Sequence, residues 1–462
     1  MASPIIIVGS GLVGSLWAYI LKKRGYEVEI FEKRPDPKNL KSPAGRSINL
    51  VITSRGLNGL KTAGLIEKIL PITVPVYGRE IHGKNGDTVF QAYGRDKSEC
   101  NYSVSRWDLN KALIEACTEA GIKIHFEHDV THLDLEKKEL CFNSPKGKVN
   151  RTYERLFATD GAGSVIRKEL IAQRPNDYQE SVEWLSSDYK EIHLQRTAQG
   201  EPALKKNALH IWPRGTHMMM GLANNDNSFT MTLYLPKENH TFSFANLKAE
   251  KAVQNMFESE FADSVPLMAN YAKEFLENPQ GKLATVRLNK WIFKDSIALL
   301  GDAAHAIVPF FGQGMNLGFE DCTTLLKILE DCHNDWEQAF KNYDSIQRPN
   351  ANAIADMALE NFTEMRDKVG DANFQFKKKI ESLIEKEFPQ LYRSRYGLIT
   401  YTLTPYALAQ EAGVRQNKLL ERFSSGIQNP EELDLGVVKK ILEKDFFPWS
   451  RENNLTTESF RF

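Results

Sequence analysis

Cysteine is scarce, five in 462 residues. Cys100, Cys117, Cys141, Cys322 and Cys332 are odd in number, widely spaced and never arranged as C-x-x-C. That pattern excludes a disulfide framework and a thiolate zinc centre, and the thiols read as the reduced side chains of a cytoplasmic protein. Long apolar runs are missing as well, since none approaches the roughly 20 residues of a membrane helix. The apolar stretch from Ile5 to Leu21 is not preceded by basic residues and is broken by glycines, so it does not read as a signal peptide. The polar end, Arg451-Glu452-Asn453-Asn454, offers no anchor, and a soluble protein is expected. Neither sign of charge is in excess: 59 basic and 60 acidic side chains leave a formal charge of -1, which removes the electrostatic footprint of a nucleic-acid binder. Repeats and low-complexity tracts are absent. His125 and His128 flank Glu127, but on a strand they would face opposite sides with no third ligand, so no metal site is expected.

With 42% hydrophobic and 26% charged residues, the chain has material for two or three domains. Its first motif is a short apolar strand, Ile5-Ile6-Ile7-Val8, entering Gly9-Ser10-Gly11-Leu12-Val13-Gly14 and then an apolar helix, followed by a second strand, Val28 to Phe31, that ends in Glu32. This is the full context of a dinucleotide fingerprint: a tight turn, room for a pyrophosphate against the backbone, close helix packing, and an acid for the adenosine ribose. A second strand-to-turn site is Leu156-Phe157-Ala158-Thr159-Asp160-Gly161, leading to a helix with Arg167. The third is the run Leu299-Leu300-Gly301-Asp302, which continues through Pro309-Phe310-Phe311-Gly312-Gln313-Gly314-Met315-Asn316 into a helix. A carboxylate at a strand end can accept from a ribityl or ribose hydroxyl, and a glycine-lined helix start aims N–H groups and positive dipole at something electron-rich. Three such sites predict a single ligand-binding edge of one sheet.

Between these motifs the texture changes. Tyr77 to His82 and Thr88 to Tyr93, broken by Asn85-Gly86, predict a β-hairpin. Ser105 is a candidate N-cap for a helix whose first turn holds Arg106, a poor place for arginine on dipole grounds and so either a ligand contact or a surface residue. Strands are expected at Lys123 to Phe126, Leu133 to Phe142 and Tyr153 to Ala158. Leu209 to Pro213, Met218 to Leu222 and Phe229 to Leu235 predict an antiparallel sheet distinct from the nucleotide-binding part, and beyond Arg348-Pro349 the chain reads as helical. The expected class is α/β: a Rossmann-like FAD-binding domain (1–73, 101–175, 284–345), an inserted antiparallel sheet domain for substrate (74–100, 176–283), and a C-terminal helical cap (346–462).

Together the three fingerprints resemble the FAD-dependent aromatic hydroxylases of the p-hydroxybenzoate hydroxylase type. A closer resemblance, to the kynurenine 3-monooxygenase family, covers nearly the whole chain. It rests on Phe31-Glu32-Lys33-Arg34-Pro35-Asp36-Pro37, Gly45-Arg46-Ser47-Ile48-Asn49-Leu50, Gly78-Arg79-Glu80-Ile81-His82, Tyr93-Gly94-Arg95, Leu209-His210-Ile211-Trp212-Pro213, the Val308 to Asn316 run, and Ala358-Leu359-Glu360-Asn361. Eukaryotic members carry an apolar C-terminal anchor, and this chain looks like a soluble, bacterial-type member.

The resemblance implies that NADPH, a transient co-substrate, reduces FAD, and that a flavin C4a-hydroperoxide passes oxygen from O2 to the ring of L-kynurenine, giving 3-hydroxykynurenine. No acid, base or nucleophile is implied, because an aniline ring activates itself. Gly9, Gly11, Leu12, Val13, Gly14, Glu32, Lys33, Arg34, Arg106, Asp160, Gly161, Arg167, Gly301 and Asp302 are implied to hold the cofactor. Pro309, Phe310, Gly312, Gly314, Met315 and Asn316 would position the flavin. Arg79, Tyr93, Asn361 and Tyr396 would meet the substrate carboxylate, Glu364 its amino group, and Met220, Tyr234 and Phe311 its ring. Two alternatives stay open: a related hydroxylase of a phenol or salicylate, and a flavin-binding redox sensor without turnover.

Overall fold

The all-buried strand Ile5–Val8 lies inside a six-stranded sheet, ordered Ile292–Phe293, Ile297–Leu299, Leu156–Ala158, Ile5–Val8, Val28–Phe31, Lys123–His125. Aliphatic residues without alternation suit a parallel strand covered on both faces. The neighbours are indeed parallel, with Val8 level with Ala158 and with Phe31, and Ala158 level with Leu299. Because the strands are parallel and in register, Gly9, Glu32, Thr159-Asp160 and Gly301-Asp302 all emerge at one edge. The three motifs therefore share a single edge of one sheet, as expected.

The computed structural model describes residues 4–40, 49–365 and 372–461; Gly45 to Ile48 fall outside the described residues. The chain divides into two units. One comprises Met1–Thr73, Val104–Leu185 and Leu283–Ala355, and the other Val74–Ser103, Ser186–Lys282 and Asp356–Phe462. The six-stranded sheet belongs to the first. Its helix Leu12–Lys23 buries Leu16, Trp17, Ile20 and Leu21 and ends on Lys22 and Lys23, whose charge suits the helix C-terminus. The expected strand from Leu133 to Phe142 is instead two strands, Asp129–Asp134 and Glu139–Ser144, paired antiparallel. The Asp134 carboxylate accepts from the backbone N–H groups of Glu136 and Lys137, and Lys138 takes φ 51, which closes a turn that spacing alone did not reveal.

His125 and His128 also differ from expectation. The strand ends at His125 and Glu127 turns the chain at φ 56, so both rings reach Phe31, one stacked at 4.5 Å and the other edge-on at 5.8 Å. Their nitrogens meet Glu29 at 3.0 Å and the Phe126 carbonyl at 2.7 Å.

The second unit carries most of a seven-stranded sheet, ordered Gly281–Leu288, Glu180–Leu194, Phe229–Pro236, Met218–Ala223, Ala208–Pro213, Gly78–His82, Thr88–Ala92. The expected hairpin forms one edge, its first strand running parallel to Ala208–Pro213. One sheet face is closed by a core of Trp212, Met219, Met231, Leu233 and Leu235 with Met256, Phe257 and Phe275 from the helices Glu250–Glu260 and Tyr271–Glu277. The C-terminal helices build a separate core around Ile380, Ile384, Tyr392, Leu442 and Phe446. Among the described residues, no helix is long and apolar enough to cross a membrane.

Candidate flavin and substrate sites

At the sheet edge of the first unit, three glycines of the first fingerprint do two different jobs. A Cβ on Gly14 would stand 2.1 Å from the Gly9 carbonyl oxygen and 2.4 Å from Thr159 Oγ1, and one on Gly9 would stand 2.5 Å from the Thr159 carbonyl oxygen. Those two positions are closed by the protein itself. Around Gly11 there is nothing within 4 Å of such a Cβ, so the protein supplies no packing reason for a glycine there and leaves the space a pyrophosphate requires. Leu12 and Val13 begin the helix that follows.

Glu32 is buried, and its Oε2 accepts from Ser10 N at 2.7 Å and Ser10 Oγ at 3.0 Å, while Oε1 accepts from Arg34 N and Nε, both at 2.9 Å. Burial alone would raise its pKa, but Arg34 and Ser10 outweigh that and lower it. The acid is thus fixed as an anion against the glycine loop, with Lys33 exposed beside it. Ser10 as its partner was not foreseen, since a serine between glycines reads as filler.

Asp160 accepts from Val165 N at 2.7 Å and so starts the helix Val165–Gln173. Gly161 turns beside it at φ 82. Arg167 spends its donors on protein: Nε on Glu180 at 2.9 Å, Nη1 on the Ala303 carbonyl at 2.8 Å, and Nη2 on the Ala162 carbonyl at 2.5 Å. It therefore braces the Gly161 turn against the Asp302 turn. Asp302 is exposed while Gly301, Ala303 and Ala304 are buried, an acid presented outward from a closed turn. Arg106 is exposed at the first turn of the helix Arg106–Glu119, which Ser105 caps by accepting from Asp108 N at 3.3 Å.

Behind Asp302 lies a residue the sequence reading missed. Asp321 is wholly buried, and its Oδ2 accepts from Gly301 N at 2.7 Å and meets His305 Nε2 at 2.7 Å. Burial would lower the His305 pKa, yet the neighbouring Asp321 outweighs it and raises it overall, and the contact between the two holds the turn. Asp321 lies within the helix Gly314–Asp331, where an acid beside Glu320 looks like a solvated residue, and no local signal marks it.

That helix begins in the second half of the third strand-to-turn run, Pro309 to Asn316. Pro309–Phe311 is a short 3-10 turn closed by Gly312 at φ 66, and Gln313 makes no side-chain cap to the helix, so the first-turn N–H groups of Gly314, Met315 and Asn316 are not taken by a cap. Asn316 holds the loop in place: its Oδ1 accepts from Thr53 N at 2.9 Å and its Nδ2 donates to the Val51 and Gly312 carbonyls at 2.8 Å. Phe310 is buried and Phe311 half-buried. An open glycine cradle, a fixed acid, an outward carboxylate and an uncapped helix start fit the donor and acceptor pattern of FAD.

In the second unit, side chains alternate along each strand and registered partners share a face. Arg79 pairs with Leu209 and Ile81 with Ile211, Ile211 pairs with Met220, and Met218 pairs with Tyr234. Arg79, Met220 and Tyr234 therefore stand on one face, opposite the face that carries Trp212 and Met219. Arg79 donates through Nε to Gln91 Oε1 at 2.8 Å. Its charge reaches the Tyr93 and Tyr396 phenols, whose rings lie 5.3 Å apart. Burial pushes the Tyr93 phenol far up and the Tyr396 phenol to about 12, so both remain neutral donors at any working pH. Asn101 Nδ2 donates to Tyr396 Oη at 3.0 Å. Asn361 and Glu364 lie at the end of the helix Trp336–Thr363 and just beyond it; Asn361 Nδ2 contacts Met365 Sδ at 3.4 Å, and the Glu364 charge faces Lys378.

Comparison with known proteins gives the family. The family described as FAD binding domain matches residues 2–358. The kynurenine 3-monooxygenase of Myxococcus xanthus is 39% identical, with 97% of each chain covered, and that of Dictyostelium discoideum is 38% identical, covering 96% of this chain and 98% of its own. Among solved structures, the tetrameric form of 2-methyl-3-hydroxypyridine-5-carboxylic acid oxygenase superposes with a TM-score of 0.66 at 17% identity, over 87% of this chain and 99% of that one. Pseudomonas aeruginosa PqsL in complex with 2-aminobenzoylacetate gives a TM-score of 0.64 at 16% identity, over 81% of this chain and 100% of its own. At such identities the structures establish the fold of the FAD-dependent monooxygenases. The sequence relatives go further, and by them the chain belongs to the kynurenine 3-monooxygenase family.

Proposed function

We propose that the chain is an FAD-dependent monooxygenase that converts L-kynurenine to 3-hydroxykynurenine with NADPH and O2. The observation that carries the substrate assignment is the grouping of Arg79 with two half-buried tyrosines, Tyr93 and the helix residue Tyr396, whose phenols stay neutral, beside Met220 and Tyr234, which share a sheet face with Arg79. Kynurenine is an amino acid on an aminobenzoyl ring. It needs a cation and hydroxyl donors at one end and apolar walls at the other, and a simple phenol needs only the second.

When bound, FAD supplies the redox chemistry, taking electrons from NADPH and delivering one oxygen atom of O2 to the ring. The chain's residues bind, orient and exclude water. The backbone at Gly11 would admit the pyrophosphate, Glu32 with Arg34 would receive the adenosine ribose, and Asp302 would receive the ribityl hydroxyls. The helix start at Gly314 to Asn316 would offer its N–H groups and positive end to the electron-rich ring system. Pro309, Phe310 and Phe311 keep water from the reacting atoms. Arg79, Tyr93, Tyr396 and Asn361 hold the substrate carboxylate and Glu364 its ammonium, while the helices from Asp356 onward cap that end. No side chain is assigned as acid or base.

The test is NADPH oxidation by the flavin-loaded protein with L-kynurenine, scored as 3-hydroxykynurenine formed per NADPH consumed. Turnover of salicylate or a phenol in preference to kynurenine would overturn the substrate assignment. For the cofactor, Asp302→Ala is expected to weaken FAD binding by about 1.5–3 kcal/mol, the usual loss for a hydrogen bond to a charged group, or roughly 10- to 150-fold. Fluorescence titration of the apoprotein with FAD checks it, and an unchanged affinity would remove Asp302 from the cofactor site.

A further inference from the structure

The second unit contains a buried carboxylate that the reaction as described does not use. Glu99 is 4% exposed, and one of its oxygens, Oε1, accepts from Arg393 Nη1 at 2.9 Å, from Arg95 Nε at 3.2 Å and Nη2 at 3.1 Å, and from Ser459 Oγ. Its Oε2 accepts from Arg95 N at 2.8 Å. Burial alone would raise its pKa, and the donors of Arg393, Ser459 and Arg95 bring it down to about 2. The clamp is therefore charged at every pH at which an enzyme of this kind is assayed, and its contribution fades only as pH falls toward that value.

The carboxylate gathers the segments that carry the two phenols. Tyr93 is followed directly by Gly94, where a Cβ would stand 2.3 Å from Glu99 Cβ, so the chain after Tyr93 is pressed against Glu99. Asn101, two residues after Glu99, donates to the Tyr396 hydroxyl. On the other side, Arg393 is completely buried and precedes Ser394, whose Oγ accepts from Gly397 N at 3.1 Å and starts the helix Arg395–Tyr401. That helix carries Tyr396. Gln416 donates to the Arg393 carbonyl at 2.6 Å, and Glu385 lies 3.3 Å from Arg393 Nε. Arg95 Nη2 reaches the Thr457 carbonyl at 3.2 Å, and Phe460 N donates to the Tyr401 carbonyl at 2.7 Å, which ties the segment 457–460 to the same group.

A buried ion network of this kind gives little net stability over an apolar core of the same shape, and its best-attested use is to fix a unique arrangement. Here the arrangement fixed is the distance between the loop after Tyr93 and the helix bearing Tyr396. We propose that Glu99 is a positioning residue that sets the spacing of Tyr93 and Tyr396 and thereby the fit of the substrate carboxylate. The proposal rests on the functional reading above.

The test uses the flavin-loaded full chain with Glu99→Gln, and Glu99→Leu with Arg393→Met as a second variant that removes both members of the 2.9 Å pair at once. FAD content stays at the wild-type level. KM for L-kynurenine rises about 10-fold and kcat changes far less, while KM for decarboxylated kynurenine, which has no carboxylate to misplace, is unmoved. Fluorotyrosine incorporated at positions 93 and 396 reports the geometry independently, and its 19F shifts move in both variants. A purely structural role would lower the melting temperature and leave the ratio of the two KM values as in wild type, and that ratio in a folded variant overturns the proposal. Unmoved 19F shifts overturn it as well. Wild-type protein that binds FAD yet forms no 3-hydroxykynurenine overturns the functional reading itself, and this role with it, a result distinct from a change confined to the variants.

Discussion

Gly11→Val is expected to yield a folded protein that purifies without colour. Its backbone sits at φ -65 as the helix N-cap, a conformation valine adopts, and no protein atom lies within 4 Å of the added Cβ. Folding should therefore be nearly untouched. The side chain would occupy the space assigned to the pyrophosphate, where overpacking costs about 1–3 kcal/mol even in cores that can adjust. A phosphate held against a fixed backbone adjusts less, so the expected weakening is at least on the order of 100-fold. Gly14→Val supplies the contrast. Its Cβ would overlap the Gly9 carbonyl and Thr159 Oγ1, so that variant should lose stability whether or not flavin is present. Absorbance at the flavin band together with melting of the apoproteins separates the two. Full flavin content in Gly11→Val would refute the placement, and equal apoprotein melting for Gly14→Val would refute the close packing.

The two glycines also mark how far the sequence could be read. The order strand, glycine loop, helix, strand, acid is a local pattern, and each step has a local physical cause, so the parallel sheet and its ligand edge could be written down from residues 5 to 32 and from the two later strand ends. The same holds for the hairpin at Gly78–His82 and Thr88–Ala92, where Asn85-Gly86 announces the turn. Asp321, Ser10, Glu99 and Arg393 could not be found that way. Each matters through a partner distant in sequence: Asp321 through Gly301, and Arg393 through Glu99 at a separation of 294 residues. A buried acid has the same one-letter context as a solvated one, and only the fold decides which it is. His125 and His128 failed for a smaller reason. One residue in the left-handed region, Glu127, rotates the second histidine back toward the first, and strand alternation stops applying at that point.

Arg79 is legible by resemblance, and the structure adds how it is held, which sharpens what its removal should do. Its Nε is committed to Gln91, the residue directly across the hairpin, so a carboxylate would have to be met by the two terminal nitrogens. Under the proposed function, those nitrogens would give the substrate anion two parallel charge-assisted hydrogen bonds. Lysine offers one point charge and cannot keep the Gln91 bond while doing the same. Arg79→Ala should weaken L-kynurenine binding by about 2–4 kcal/mol, above the ordinary range for one charged hydrogen bond because a partly desolvated carboxylate is left facing neutral phenols. In affinity that is roughly 30- to 700-fold. FAD content should not change, because the flavin contacts assigned above all lie in the other unit of the chain. Arg79→Lys should recover only part of the loss. The control is decarboxylated kynurenine, which should bind wild type and variant about equally weakly. Equilibrium titration of both ligands against both proteins decides the matter: if Arg79→Ala still prefers kynurenine over its decarboxylated analogue as strongly as wild type does, the carboxylate is held elsewhere and Arg79 serves only the hairpin through Gln91.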